Sequence, residues 1–367
     1  MGYEGRETLS RLPRLSDAWV RVNGVSVRSA VSLVPSATDI VVALGAAGSL
    51  LGISADCDQP DPAKPRPVVT RPMIDPAAAA RDPAGVDAAV REQMAGGGQL
   101  YSLDVDAIVA LAPDVVFAQD ECSVCALPSS EVLAALAGRG LACEIVSLDP
   151  VDLDGVLSTF SVVGSALGLP DEGAGLEAAS RQRLARLSAG GGGGAGTGGD
   201  AGTSGVPAGR RPRVLVLDWV DPLFVAGNWV PALVRAAGGE PLLATAGSPS
   251  RQISVDDLEA SRPDLIVVAP CGLDLKAAQQ SAEGLRLALG AGEMASAEVS
   301  EAAGGGGTAM RMVAFDGRLW FSRPGPQLIE GAEALAAWLA GAGPGPGGDR
   351  TSIELSSSGP PQGSRLR

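Results

Sequence analysis

The sequence predicts an α/β protein of two Rossmann-like lobes with parallel sheets, joined by a single long helix, with a ligand cleft between the lobes. Three observations lead there. Short runs that are apolar on both faces, too brief for helices, recur between helical stretches, as buried parallel strands do. Each run stops abruptly in polar or cysteine residues, and in open α/β sheets ligands sit beyond the carboxyl ends of the strands. The two halves also echo one another: Ala112-Pro113-Asp114 and Arg262-Pro263-Asp264 each lead into an apolar run that ends near cysteine.

In chain order, residues 30–34 form a first short strand, and Ser36 with Asp39 resembles a capping box opening a helix that ends at Gly45. The helix amides there can face an anionic group, which makes Ser36 a binding candidate. Leu50–Ser54 gives a second strand, ending in Ala55-Asp56-Cys57-Asp58. Prolines 60, 62, 65, 67 and 72 then forbid regular structure except at Val68-Val69-Thr70, after which Arg71 opens a loop. A helix, or two broken at Pro83, fills residues 75–93, and Tyr101 starts a helix that runs to Leu111. The strand at 114–119 ends in Asp120, Glu121, Cys122 and Cys125. A helix over 129–137 and a strand over 143–148 complete the first lobe, with Cys143 inside that strand as core packing.

Residues 151–188 read as the helix between lobes, and the Gly-rich run after them as a flexible insertion. The second lobe opens with Arg213–Leu217, ending in Asp218-Trp219-Val220-Asp221 and then Gly227-Asn228-Trp229. Two tryptophans in a loop past a strand end, in a chain with 3% aromatics, suggest a flat apolar ligand wall. A short helix at 256–261 and the strand at 264–268 lead to Cys271. Arg318–Phe321 reads as the last strand, closed by Arg323, and 327–339 as the last helix. The expected partition is an extension (1–29), the first lobe (30–150), the connecting helix (151–188), an insertion (189–211), the second lobe (212–340, with an insertion at about 290–309) and a disordered tail (341–367).

Composition narrows the function. A net charge of −14 argues against nucleic acid and anionic membrane as partners. With no histidine in 367 residues, Ser-His-Asp catalysis, imidazole zinc sites and haem ligation by histidine are all excluded for this chain. Five cysteines in so long a chain fit a reducing compartment better than a disulfide scaffold. Residues 1–29 lack the uninterrupted apolar run of a secretory signal, so the expected location is cytoplasmic or an organellar lumen. No stretch of about 18 apolar residues appears, so no membrane insertion is expected.

Several runs taken together carry a resemblance. Val31-Ser-Leu-Val-Pro-Ser-Ala-Thr38 followed by Ala43-Leu-Gly45, then Val69-Thr-Arg71, Ala112-Pro-Asp-Val115, Gly227-Asn-Trp-Val-Pro231, Ala236-Ala-Gly-Gly239 and Arg323-Pro-Gly-Pro326, resemble the cobalamin and iron-chelate binding proteins of ABC importers, which have the class III periplasmic-binding fold. Within that family they look most like the cobalamin-binding branch. The resemblance implies a corrinoid as ligand, no catalytic residues or catalytic cofactor, and an ABC permease as partner.

The candidate ligand-binding residues are Ser36, Asp56, Arg71, Tyr101, Asp120, Glu121, Trp219, Asp221, Asn228, Trp229 and Arg323. Tyr101, Trp219 and Trp229 are the expected walls for a planar macrocycle, and Arg71 and Arg323 can meet carboxamide or phosphate groups. Asp120 and Glu121 read either as metal ligands or an acid–base pair, or as caps of the following helix. Cys57, Cys122, Cys125 and Cys271 fall past strand ends and could hold a soft metal or bring a thiolate to cobalt. The alternative they raise is a thiol-redox or soft-metal protein on the same fold; their bland reading is small buried apolar residues.

Overall fold

The structure, a computed structural model, describes residues 20–22, 25–74, 83–95, 99–120, 128–191, 210–290, 311–341 and 352–354. The chain divides into two compact units: Met1–Pro150 with Gly155–Ser180, and Val151–Asp154 with Arg181–Arg367. Most of the expected extension, insertions and tail lies outside the described residues.

In the first unit, β1 (Val20–Val22) and β2 (Val25–Val27) form an antiparallel pair. The main sheet contains β3 (Ala30–Ser32) and β4 (Leu50–Ile53), with helix α1 (Pro35–Ala43) between them in sequence. β5 (Thr70–Pro72), α2 (Pro83–Ala95), β6 (Tyr101–Leu103) and α3 (Val105–Leu111) follow. Then come β7 (Val115–Ala118), α4 (Ser129–Ala137) and β8 (Glu144–Ser147). The sheet order is β4-β3-β7-β8 with every pairing parallel, so the chain steps first to one side of β3 and then to the other. All four residues of β7 are buried, which explains why its run is apolar on both faces.

The expected single helix over 151–188 is two helices, α5 (Leu153–Leu167) and α6 (Pro170–Gly191). Gly168 takes a left-handed φ of 83°, and the Leu169 N–H closes back on the Gly164 carbonyl at 2.7 Å, which ends α5. Pro170 then starts α6 at a position where a missing N–H costs nothing. α6 is the longer helix, and its residues are shared between the two units.

The second unit repeats the logic. Its strands are β9 (Arg213–Val220), β10 (Leu223–Val225), β11 (Glu240–Pro241), β12 (Arg251–Gln252), β13 (Leu265–Val268), β14 (Arg311–Phe315) and β15 (Ser352–Glu354). Helices α7 (Val230–Ala236), α8 (Val255–Ser261), α9 (Leu275–Gly290) and α10 (Gln327–Leu339) accompany them. β11, β13 and β14 are parallel to the strands they join, with β11 and β13 on opposite sides of β9. β9 runs on past β13 and folds back as an antiparallel hairpin with β10. Leu215, Leu217, Ile266, Val268 and Ala314 build the core here, each buried side chain contributing on the order of 1–3 kcal/mol.

The repeated Pro-Asp has one structural job in both units. Ala112 and Arg262 each end a helix in the left-handed conformation at φ 46°. The aspartate then pins the start of the neighbouring strand: Asp114 Oδ2 accepts from the Ser29 amide at 2.9 Å, and Asp264 Oδ2 from the Arg213 amide at 2.6 Å.

Three expected elements are corrected. Arg318–Ser322 forms a π-helical turn, and the last parallel strand is Arg311–Phe315. The Asp316 carboxylate accepts from the Leu319 amide at 3.0 Å, which starts the turn. Arg71 and Tyr101 lie in the antiparallel pair β5–β6 rather than in a loop and a helix, and Asp104 caps α3 by accepting from the Ala107 amide at 3.0 Å. Ser36 does not cap α1: the capping position is Val34, which makes no side-chain bond, and Pro35 occupies the first turn.

Candidate functional site

Each sheet reverses its winding at its first strand, between β3 and β7 in one unit and between β9 and β13 in the other. Ligands of open α/β sheets bind outside the carboxyl ends of the strands at such a point.

At the carboxyl edge of the first unit, Asp120 follows β7. Its Oδ1 accepts from the Ser129 amide at 2.6 Å, and its Oδ2 from the Ser129 and Ser147 hydroxyls at 2.5 and 3.1 Å. Asp149 Oδ1 in turn accepts from the Asp120 amide at 2.5 Å, and Asp149 Oδ2 from the Ser147 hydroxyl at 2.6 Å. The Ser129 bonds hold the Asp120 carboxyl below the usual carboxylate range. Asp120 thus serves the amino terminus of α4 while remaining exposed. Glu121, Cys122 and Cys125 lie outside the described residues.

Past β4, Asp56 is exposed and Cys57 is half-buried. The Thr38 hydroxyl donates to the Cys57 sulfur at 3.1 Å, and the Ser54 hydroxyl lies 3.2 Å from it. Ser36 is buried on α1. The β5–β6 pairing sets Pro72 opposite Tyr101 and Arg71 opposite Ser102. The Arg71 guanidinium is 77% exposed and 3.6 Å from the Asp104 carboxylate. Tyr101 is half-buried.

At the carboxyl edge of the second unit, Asp218 follows the last parallel pair of β9 with β13, and its carbonyl accepts from the Cys271 amide at 2.9 Å. The Ser250 hydroxyl donates to Asp218 Oδ2, and the Gly227 amide donates to the same Ser250 oxygen at 3.0 Å. Asp218 Oδ1 is buried with no hydrogen-bond partner among the described residues. Burial pushes its pKa up to about 6, against the bond from Ser250.

The neighbouring loop leaves no room for change. A Cβ on Gly227 would press on the backbone of Ser248 and Pro249 and lie 2.5 Å from the Ser250 nitrogen. Asn228 sits at φ 49°, a conformation asparagine tolerates, and its amide donates to the Ser248 carbonyl at 2.6 Å.

The predicted residues of this unit separate. Trp219 is half-buried on the β9–β10 hairpin, its indole N–H donating to the Asp221 carbonyl at 2.9 Å, and Asp221 is exposed. Trp229 is 6% exposed and donates to the Phe321 carbonyl at 2.7 Å, so the expectation of a ligand wall there is corrected: it is a core residue. Arg323 is buried as well. Cys271 is exposed.

Among the described residues, no group of three or more acidic or cysteine side chains could hold a metal ion. Cys143, half-buried just before β8, packs against the first unit's core, and burial raises its thiol pKa. The residue that sequence reasoning missed is Asp218. It stood in the predicted strand-end run, but its burial depends on Ser250, far along the chain.

No protein-family model and no curated protein sequence matches the chain. Solved structures do. A periplasmic haem-binding protein from Pseudomonas aeruginosa is similar at TM-score 0.59 and 22% identity, covering 91% of this chain and 100% of that one. The periplasmic vitamin B12 binding protein BtuF of Vibrio cholerae aligns at TM-score 0.55 and 18% identity, over 86% of this chain and 98% of its own. The periplasmic haem-binding protein BhuT, solved with two haems, aligns at TM-score 0.57 and 21% identity, over 86% and 98%.

These likenesses correct the expected cytoplasmic or organellar location: the proteins that share the architecture are periplasmic, which points outside the cytoplasm. The expectation rested on residues 1–29 alone. Two α/β units, each wound in both directions from its first strand, together with these alignments, give the chain the fold of the periplasmic binding proteins for haem, vitamin B12 and iron.

Proposed function

We propose that this chain is a binding protein for a flat metal macrocycle, cobalamin or a related corrinoid, which it passes to an ABC permease. The fold supports the broader form, since the similar structures are titled as binding proteins for haem, vitamin B12 or iron. The observation that carries the corrinoid form is the absence of histidine from all 367 residues. Haem iron takes an axial ligand from its protein, commonly histidine, and this chain has only tyrosine, cysteine or methionine to offer in its place. Cobalamin brings an axial base of its own, so a chain without imidazole can still hold it.

The contacts are assigned to side chains that remain reachable at the carboxyl edges. In the first unit Tyr101 carries a flat face suited to a ring, with Arg71 and Asp56 as partners for peripheral carboxamides; in the second, Trp219 and Asp221 carry the same two features. Cys271, exposed past β13, is the thiol assigned to approach a bound metal; a thiol-redox activity draws no support from the similar structures. The test is mass spectrometry of the small molecule that co-purifies from native cells. A corrinoid is expected, and haem or an iron chelate in its place would shift the assignment to that ligand.

A further inference from the structure

The opposite edge of the second unit's sheet carries a feature that macrocycle binding does not use. A cavity of about 520 Å³ is lined by Arg210, Arg213, Glu240, Arg262 and Asp264. These residues sit at the amino ends of the strands: Arg213 begins β9, Glu240 begins β11, and Asp264 immediately precedes β13. Three guanidinium groups around one opening are unusual in a chain whose net charge is −14.

The hydrogen bonds show which charges are already engaged. Asp264 is already engaged, with Oδ1 accepting from the Arg210 guanidinium at 2.8 Å and Oδ2 from the Arg213 amide at 2.6 Å. The Arg213 and Arg262 guanidinium groups donate to no described residue, and the Arg213 Nε is buried without an acceptor. A buried donor left unpaired is costly, and forked guanidinium donors lining one cavity suit the oxygens of a tetrahedral anion. Glu240, exposed at the rim, opposes the anion and favours one with enough oxygens to engage both forks.

We propose that this cavity binds a phosphate-type dianion between the Arg213 and Arg262 guanidinium groups, with Arg210 held beside them by Asp264. The site is independent of the macrocycle reading. Binding there should weaken as salt rises, because added salt screens the attraction of the guanidinium groups for the ion.

The experiment is isothermal titration of the full chain with inorganic phosphate, and separately with glycerol 3-phosphate, at constant ionic strength in chloride. Saturable one-site binding of either is expected, the two probes separating a free ion from an ester-borne group. Arg262→Gln and Arg213→Gln should each weaken it at least tenfold. Lys276→Gln, an exposed cation that does not line the cavity, should leave it unchanged. Arg262 is exposed, so its replacement keeps the fold, and circular dichroism verifies this. No saturable heat with either probe, or equal binding by the wild type and the Arg262→Gln variant, overturns the proposal. Neither outcome bears on corrinoid binding, which is read by absorbance.

Discussion

Asp218 receives the Ser250 hydroxyl on one carboxylate oxygen and keeps the other buried without a partner among the described residues. The bond ties the end of β9 to the loop at 247–250, and Ser250 passes the constraint on to Gly227. A carboxylate so placed is destabilised by desolvation more than the single hydroxyl restores, which is why its pKa rises to about 6.

The sign of the resulting pH dependence follows. The folded state binds this proton more tightly than the unfolded chain does, so the contribution of Asp218 to stability is greatest at low pH. It is lost as pH rises from the unfolded value of 3.8 through about 6. The total is on the order of 3 kcal/mol for a shift of about two units. Asp218→Asn should remove that slope and stabilise the second unit by about 1–3 kcal/mol at pH 8, read by urea unfolding across the pH range. An unchanged slope would mean that Asp218 is hydrated in solution.

Asp120 should behave in the opposite way. Its pKa is lowered by the Ser129 bonds, so its contribution is present at neutral pH and fades as pH falls through the lowered folded value. Asp120→Ala removes the acceptor at the start of α4 and should cost about 1 kcal/mol, as loss of a helix cap does. Hydrogen exchange at the Ser129 amide is the local readout, and protection that survives the substitution would contradict the role.

Gly227→Ala places a methyl group against three backbone atoms that cannot rotate away. A loss of about 2–4 kcal/mol is expected, together with release of Ser250 from Asp218. Denaturant midpoints measure the first effect. A further rise of the Asp218 pH window, as the bond that lowers its pKa is lost, measures the second.

The two tryptophans of the second unit should separate in experiment. Trp229→Phe loses a buried bond to the Phe321 carbonyl and should cost about 1–3 kcal/mol of stability, with ligand affinity changed less than about threefold. Trp219→Ala should do the reverse, weakening macrocycle binding about tenfold or more at little cost to stability. Paired unfolding curves and ligand titrations on the two variants check this.

Much of the fold was legible because its strands are short, buried on both faces and punctuated. The runs at 115–118, 213–217 and 265–268 could be placed from composition alone, and the repeated Pro-Asp marked the same junction in both halves. Arg318–Phe321 misled because the three apolar and aromatic residues after Arg318 carry no period that separates a strand from a helical turn; the Asp316 carboxylate starts the turn. Tyr101 was misplaced because the helix signal after it begins only at the Asp104 cap. The candidate site was less legible than the fold. Whether a tryptophan past a strand end faces solvent or Phe321 depends on residues about a hundred positions away, and local sequence does not encode that choice.

Equilibrium titration of the purified, ligand-free chain with cobalamin, followed by the corrin absorbance, tests the central claim most directly, with haemin and a ferric siderophore run in parallel. Saturable one-to-one binding of cobalamin, tighter than either alternative and weakened about tenfold or more in Trp219→Ala, is the expected result. Tight binding of haemin with none of cobalamin, or no binding of any macrocycle by the folded chain, would contradict it.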